Sequence, residues 1–356
     1  MIHEIDFERG ILALAPLAGF TDLPFRSVVK KFGADVTFSE MISANALRYR
    51  SEKTFKMLTK SPLETPYIVQ IAGSDLESIK EAVLVLNDIE GIDGIDLNCG
   101  CPVPKIISQE AGSSLLLNLP HMQKIIETIK KYSNKRYTSA KVRLGFTTKI
   151  PEEIAKACES AGVDFMSMHG RTRAGAYKAE VDYQAIARAR AAVKIPLIAN
   201  GDITSYEKAL HVKEVTGCNS LMIGRGAVGN PWIFYQIQNE LTHVEKTKIL
   251  EIVLEHFDAM VDFYGEKGHS IFRKHLHTYS KGFREASEFR DKINRIEDDA
   301  LMRETIATFS LSNRHQSLVL YVFLFYSFHD ISLSPANLPL SRGVYASLQY
   351  LYLRYA

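Results

Sequence analysis

Cys101 stands beside Pro102 at the head of a long segment, 100–112. A free thiol with a pKa of about 8.5 is mostly protonated at neutral pH, so it can serve as an acid without help. Two glycine turns, Asn200-Gly201-Asp202 and Gly224-Arg225-Gly226, let backbone approach a ligand closely. A helix opening after each offers free N–H groups, and with the charge of Arg225 the pair suits a phosphate. Gln70, Lys141, Arg143, His169 and Arg171 add donors able to hold a polar ligand or stabilise an anion. Two other chemistries compete. Cys99-Gly100-Cys101 invites a metal or disulfide reading, but zinc takes about four N or S ligands. Cys158 falls in a helical pattern and Cys218 precedes a strand, so no metal set closes. Residues 224–229 match GxGxxG, yet a dinucleotide fingerprint needs a further strand ending in Asp or Glu about 20 residues on. Here Pro231 and a helical region follow instead.

These residues are separated by elements with a regular period. Short apolar or β-branched runs occur at 11–16, 35–41, 67–71, 92–98, 138–143, 163–169, 195–200 and 219–224, each followed by a helical pattern. Their starts lie 24, 32, 25, 46, 25, 32 and 24 residues apart, about what one strand, one helix and two loops require. Several runs show little alternation, as parallel strands covered on both faces do. Residues 75–89 have an acidic first turn and apolar Ile79, Val83 and Leu86 on one stripe, the pattern of a packed helix. Eight β-then-α units predict a closed α/β barrel of the TIM (β/α)8 type. In such a barrel chemistry sits at the carboxyl ends of the strands, where Gln70, Cys101, Lys141, Arg143, His169, Arg171 and the two glycine turns fall. Pro16, Leu17, Ala18 and Asn98 join them by position.

After Gly229-Asn230-Pro231 the strand signals stop, and 245–309 predicts helix after helix, broken at Gly265–Gly268 and Gly282. The expected organisation is a barrel over 1–240, a small all-helical domain over 241–310 and an apolar tail over 311–356. The tail has no Lys and no Glu, and its stretch 317–328 is 12 residues long, short of the roughly 20 that span a bilayer. A chain of 356 residues, 46% hydrophobic and 24% charged, has the material for a large core and is not a disordered protein. With 43 basic against 41 acidic residues, any polyanion partner must be held by local patches. Two are present. Residues 130–143 carry six basic side chains and no acid, and 267–295 carry eight, including Arg273 and Lys274, against three acids. Four cysteines and an acidic start predict a reducing, cytoplasmic setting with no membrane anchor.

In order and spacing, APLAGFTDLPFR (15–26), SEM (39–41), VQIAGS (69–74), DLNCGCP (96–102), KVRLG (141–145), HGRTR (169–173), ANGDI (199–203) and IGRGAVGNPWIF (223–234) resemble the tRNA-dihydrouridine synthases, the bacterial B-type most closely. The resemblance runs over roughly 10–310 and leaves the tail out. It implies an FMN-containing barrel followed by a helical domain, reducing the C5–C6 bond of particular uridines in tRNA with NADPH as reductant. It implies Cys101 as the proton donor. Pro16, Leu17, Ala18, Gln70, Lys141, His169, Asn200, Gly201, Asp202, Gly224 and Arg225 would hold FMN. Many members carry Met where this chain has Cys99.

The chemistry is consistent with those roles. Reduction of an enone-like ring needs a hydride at C6, which a flavin supplies, and a proton at C5, which the protein must supply. Lys141 either donates toward the flavin or pairs with a carboxylate such as Asp96, and Arg225 either clamps phosphate or forms a surface ion pair. A uridine in folded tRNA must be extruded, so backbone contacts are needed, with Arg171, Arg173, Arg273 and Lys274 as the candidate RNA contacts. The chain is expected to act as a monomer, with no metal and no membrane partner. Rival functions are another FMN barrel acting on a free small molecule, dihydroorotate dehydrogenase-like, and a non-catalytic RNA-binding barrel. The first would not need the basic helical domain; the second would be suggested by a lost Cys101 or a broken phosphate loop, and neither is found.

Overall fold

The computed structural model describes residues 4–242 and 246–309. The tail over 311–356 and its apolar stretch lie outside the described residues. Nine parallel strands form the sheet: β1 (Leu12–Leu14), β2 (Val36–Phe38), β3 (Ile42–Ser43), β4 (Tyr67–Ala72), β5 (Gly94–Cys99), β6 (Tyr137–Arg143), β7 (Phe165–His169), β8 (Leu197–Asn200) and β9 (Ser220–Ile223). Eight close a ring, because β1 pairs with both β2 and β9 while β2 also pairs with β4. The two-residue β3 lies beside β4, with Ile42 opposite Ile71. Each expected run overlaps one barrel strand, with β4, β5 and β6 each reaching one residue beyond it, and only the second adds an element, β3, just past its end. The protein is thus a TIM (β/α)8 barrel with helices after it. The GxGxxG match at 224–229 follows the last barrel strand and belongs to no dinucleotide-binding unit.

Alternation along each strand divides the core in two. Outward side chains such as Leu14, Val69, Leu97, Val142, Met168 and Ile223 pack with the surrounding helices in one cluster. Inward side chains Ala13, Phe38, Ile68, Tyr137, Phe165, Ile198 and Met222 plug the barrel together with Ile5 from the N-terminal segment. The Ile5 N–H donates to the Tyr137 hydroxyl at 2.9 Å, fixing that segment under the floor. Toward the carboxyl ends the inward positions turn polar, and this change of composition along one interior builds the site.

The helices start where the sequence supplies caps. Asp22, Asp75, Asn118, Asp182 and Ser205 each accept a first-turn N–H of the helices Leu23–Lys31, Leu76–Asn87, Leu119–Tyr132, Tyr183–Ala191 and Tyr206–Thr216. Beyond Ile233–Gln238 come Lys246–Tyr264, Gly268–Tyr279, Ala286–Ile293 and a helix over 299–309. Gly268 lets two of these cross closely, since a Cβ there would sit 2.5 Å from the Val261 Cα. These helices belong to the same compact unit as the barrel, which extends to Ala307. Among the described residues no helix is long and apolar enough to cross a membrane.

Candidate active site

Seven inward residues at the carboxyl ends of β4 to β8, Gln70, Asp96, Asn98, Ser139, Ser167, His169 and Asn200, are buried, and Lys141 lies among them. Burial obliges such groups to find partners, and one set does so as a chain of bonds. Ser139 Oγ donates to Asp96 Oδ1 at 2.6 Å and Gln70 Nε2 to Asp96 Oδ2 at 2.7 Å. Asn98 Nδ2 donates to Gln70 Oε1 at 2.7 Å. The N–H groups of Gly100 and Cys101 then donate to Asn98 Oδ1, at 3.1 and 2.9 Å.

The chain of bonds ends at the thiol loop. Cys99 is fully buried against the outer helices and burial pushes its thiol up, so it is an inert core residue. Cys101, two residues on, is half-buried. Its carbonyl accepts from the Ser113 N–H at 3.1 Å and from Ser113 Oγ at 2.8 Å. Arg143 Nε donates to the Gly100 carbonyl at 2.8 Å. Three separate elements thereby fix the loop that carries the sulfur.

Across the layer, Lys141 Nζ donates to Asn200 Oδ1 at 3.3 Å, and Asn200 Nδ2 donates to the Met222 carbonyl at 2.7 Å. Burial lowers the Lys141 pKa to about 8, with Arg143 adding to the fall and Asp96 opposing it. The ammonium stays charged at neutral pH. Burial, then the positive charges of Lys141, Arg143 and Arg171, holds His169 down to about 2, so its imidazole is neutral and acts through hydrogen bonds alone. Ser167 Oγ, in the same layer, has no partner. The two glycine turns close this side. A Cβ on Gly226 would lie 2.0 Å from the Ile203 carbonyl oxygen, and one on Gly201, at φ 140°, would lie 2.7 Å from Val181 Cγ1. Among the described residues the N–H groups of Asp202 and Gly226 meet no acceptor. Two backbone turns in contact, with the Arg225 guanidinium beside them, fit an anionic group such as a phosphate.

The profile of the family described as "Dihydrouridine synthase (Dus)" matches residues 13–313. The chain belongs to the dihydrouridine synthase family. It is 51% identical over 317 residues to a Helicobacter pylori protein named "Probable tRNA-dihydrouridine synthase", covering 88% of this chain and 97% of that one. A Rickettsia conorii protein of the same name is 39% identical, covering 87% and 96%. The "tRNA-dihydrouridine synthase B" of Vibrio cholerae is 40% identical, covering 81% of this chain and 92% of that one.

In this dihydrouridine synthase fold several expected residues do not lie where their types suggested. Arg171, expected as an RNA contact, is only 5% exposed. Its guanidinium is bidentate on Asp202 and donates to the Ala179 carbonyl, so it braces the loop after β7 rather than offering a free cation. Arg225 Nη2 also donates to Asp202, at 2.8 Å, so the ion pair foreseen as the alternative to a phosphate clamp does form. Arg173 lies over the Phe146 ring at 4.9 Å. Arg273 turns inward, with Nη2 donating to the Ile296 carbonyl. Lys274 instead reaches the barrel rim, its ammonium 5.4 Å from the centre of the Phe20 ring. Lys141 takes Asn200, not Asp96, as its hydrogen-bond partner. Tyr177 was not foreseen: it is half-exposed, with Arg225 over its ring at 4.1 Å and Arg143 at 5.6 Å. An aromatic in the glycine-containing loop after β7 was the available signal.

Proposed function

We propose that the protein is a tRNA-dihydrouridine synthase that reduces the C5–C6 double bond of uridines in tRNA with FMN as cofactor and NADPH as reductant. The observation that carries this reading is the Cys101 thiol, half-buried on a loop fixed by Asn98, Arg143 and Ser113 at the rim of the polar layer. FMN suits the residues present. Gly201 and Gly226 let two turns pack where a Cβ would collide with Val181 or the Ile203 carbonyl, and these turns would take the phosphate with Asp202, Gly224 and Arg225. Gln70, Lys141, His169 and Asn200 line the barrel beside them, with Pro16, Leu17 and Ala18 at the end of β1. Bound there, FMN supplies the hydride received at C6.

Cys101 delivers the proton to C5 from its sulfur, a task that needs the thiol form. Lys141, charged and half-buried, stabilises negative charge developing near it, while neutral His169 can only donate or accept a hydrogen bond. The extruded uridine costs a few kcal/mol, offset by contacts to the RNA backbone. With Arg171 internal, Arg173 and Lys274 are the rim cations available for that role. A reducing cytoplasm would keep Cys101 as a thiol.

The test is direct. Purified protein should be yellow, and its NADPH oxidation should become rapid only with unmodified tRNA. Dihydrouridine should vanish from particular positions of tRNA in cells that lack it. A colourless protein, or oxidation indifferent to tRNA, would sink this reading.

A further inference from the structure

We infer that Asp96, which touches neither solvent nor the thiol loop, is the positioning residue that sets the direction of every hydrogen bond between the barrel interior and the loop of Cys101. The inference rests on the proposed role of Cys101 only for its functional meaning; the geometry stands without it.

An ionised carboxylate accepts and cannot donate. Asp96 is fully buried, with Ser139 Oγ and Gln70 Nε2 both pointing donors at it. Gln70, likewise fully buried, must therefore turn its NH2 toward Asp96 and its carbonyl oxygen toward Asn98. Asn98 must in turn give its NH2 to Gln70, which leaves its own oxygen facing the loop. That oxygen is what the N–H groups of Gly100 and Cys101 require, because a backbone N–H can only donate. One acceptor at the buried end thus fixes two amide orientations in series. It presents an acceptor to the thiol loop across four residues of three strand ends.

Asn98→Asp tests that polarity. With Asp96 accepting from Gln70 Nε2, the Gln70 carbonyl oxygen faces the new carboxylate, acceptor against acceptor, and the carboxylate must swing away, disturbing the loop N–H groups it holds. Asp96→Asn by itself leaves no mismatch, because the amide oxygen can accept from Gln70 while its NH2 donates to Ser139 Oγ, a hydroxyl that accepts as well as donates. Asp96→Asn combined with Asn98→Asp repairs the chain of bonds: the amide at 96 turns over to donate to Gln70, Gln70 turns over to donate to the carboxylate at 98, and that carboxylate still accepts from the loop.

The experiment is iodoacetamide alkylation of Cys101 in the FMN-loaded protein, where Cys99, Cys158 and Cys218 are buried. Asn98→Asp should raise the rate about tenfold, Asp96→Asn should leave it within about twofold of the parent, and the double variant should return it to within about twofold of the parent, a non-additivity that marks coupling. Loss of charge beside Lys141 is distinguishable. In a Gln70→Leu background, which cuts the chain of bonds, Asp96→Asn should no longer offset Asn98→Asp, whereas a charge effect would persist. Asn98→Asp at the parent rate, or a double variant no nearer the parent than Asn98→Asp, overturns the inference. Should Asp96→Asn not fold, Asn98→Asp alone decides, and an unchanged rate counts against. The readout does not involve tRNA, so failure here and failure of the proposed activity are separate results.

Discussion

In the barrel mouth, Gln70, Asp96 and Asn98 each have a hydrogen-bond partner for a stated oxygen or nitrogen, and the direction of every bond follows from its neighbours. In the seam where the helices Lys246–Tyr264 and Gly268–Tyr279 meet Leu23–Lys31, the polar groups are buried as completely but served poorly. His256 and His275 are both 0% exposed. His256 Nδ1 lies 3.0 Å from the Tyr279 hydroxyl, while His256 Nε2 and both ring nitrogens of His275 have no partner. The two rings contact each other at 4.6 Å and pack with Phe25 and Phe272 as flat hydrophobic bodies. A group that must meet a ligand is held at a fixed angle, and hydrogen bonds do that. A group that only fills space need only stay neutral.

Breaking the mouth should leave the fold and remove the chemistry. Cys101→Ala should lower dihydrouridine formation by on the order of 10²–10⁴-fold while flavin content and its reduction by NADPH persist. Retained turnover would transfer the proton to another group. Breaking the seam should do the opposite. Phe25→Ala removes a fully buried ring against both imidazoles and should cost about 3–5 kcal/mol of stability by urea unfolding. A loss below about 1 kcal/mol would mean the seam collapses to fill the gap.

Acid sharpens the contrast. Burial lowers the His256 pKa to about 3 and that of His275 well below its ordinary value, with Lys274 adding to both and His256 also lowering His275. The unfolded chain therefore takes up protons below about 6.5 that the folded chain refuses, and stability falls as pH drops. Between pH 7 and 5 His256 should forfeit about 2 kcal/mol, and His275 loses stability in the same direction. Asp22 and Asp96 work the other way. Burial raises both to about 6, so the folded state holds their protons first and gains stability as pH falls toward 4. The difference between the parent and a His256→Phe, His275→Phe chain isolates the seam, and parallel acid curves for the two would refute its neutral-imidazole character. The smallest expected effect lies at the glycine turns proposed to take the FMN phosphate. Gly226→Ala places a methyl against the Ile203 carbonyl and should weaken FMN binding at least tenfold, about 1.4 kcal/mol, with the acid limb unchanged. Equilibrium dialysis of the flavin measures it.

Much of this was legible before any coordinates. The barrel followed from spacing, since the recurrence of apolar runs, the apolar stripe of the helix over 75–89 and the turns at Gly201 and Gly226 are local properties. Cys101 stood apart from Cys99 by position alone, one residue type with two fates set by which side of the strand end each occupies. The electrostatics of the rim were less legible. Arg171 reads as a free cation in HGRTR, and nothing within a few residues of it announces Asp202, 31 positions on.

Sequence alone determined, through short-range periodicity, that eight strands would bring a thiol, a lysine and two glycine turns to one end of a barrel. Tertiary structure alone decided which donor faces which acceptor. It turned Arg171 and Arg273 inward, gave Lys141 to Asn200, aimed Lys274 at the rim and set Asp96 at the root of the thiol loop. The reason is that hydrogen bonds and ion pairs act over about 3 Å in space regardless of distance along the chain, so their partners exist only once the ring of strands has closed.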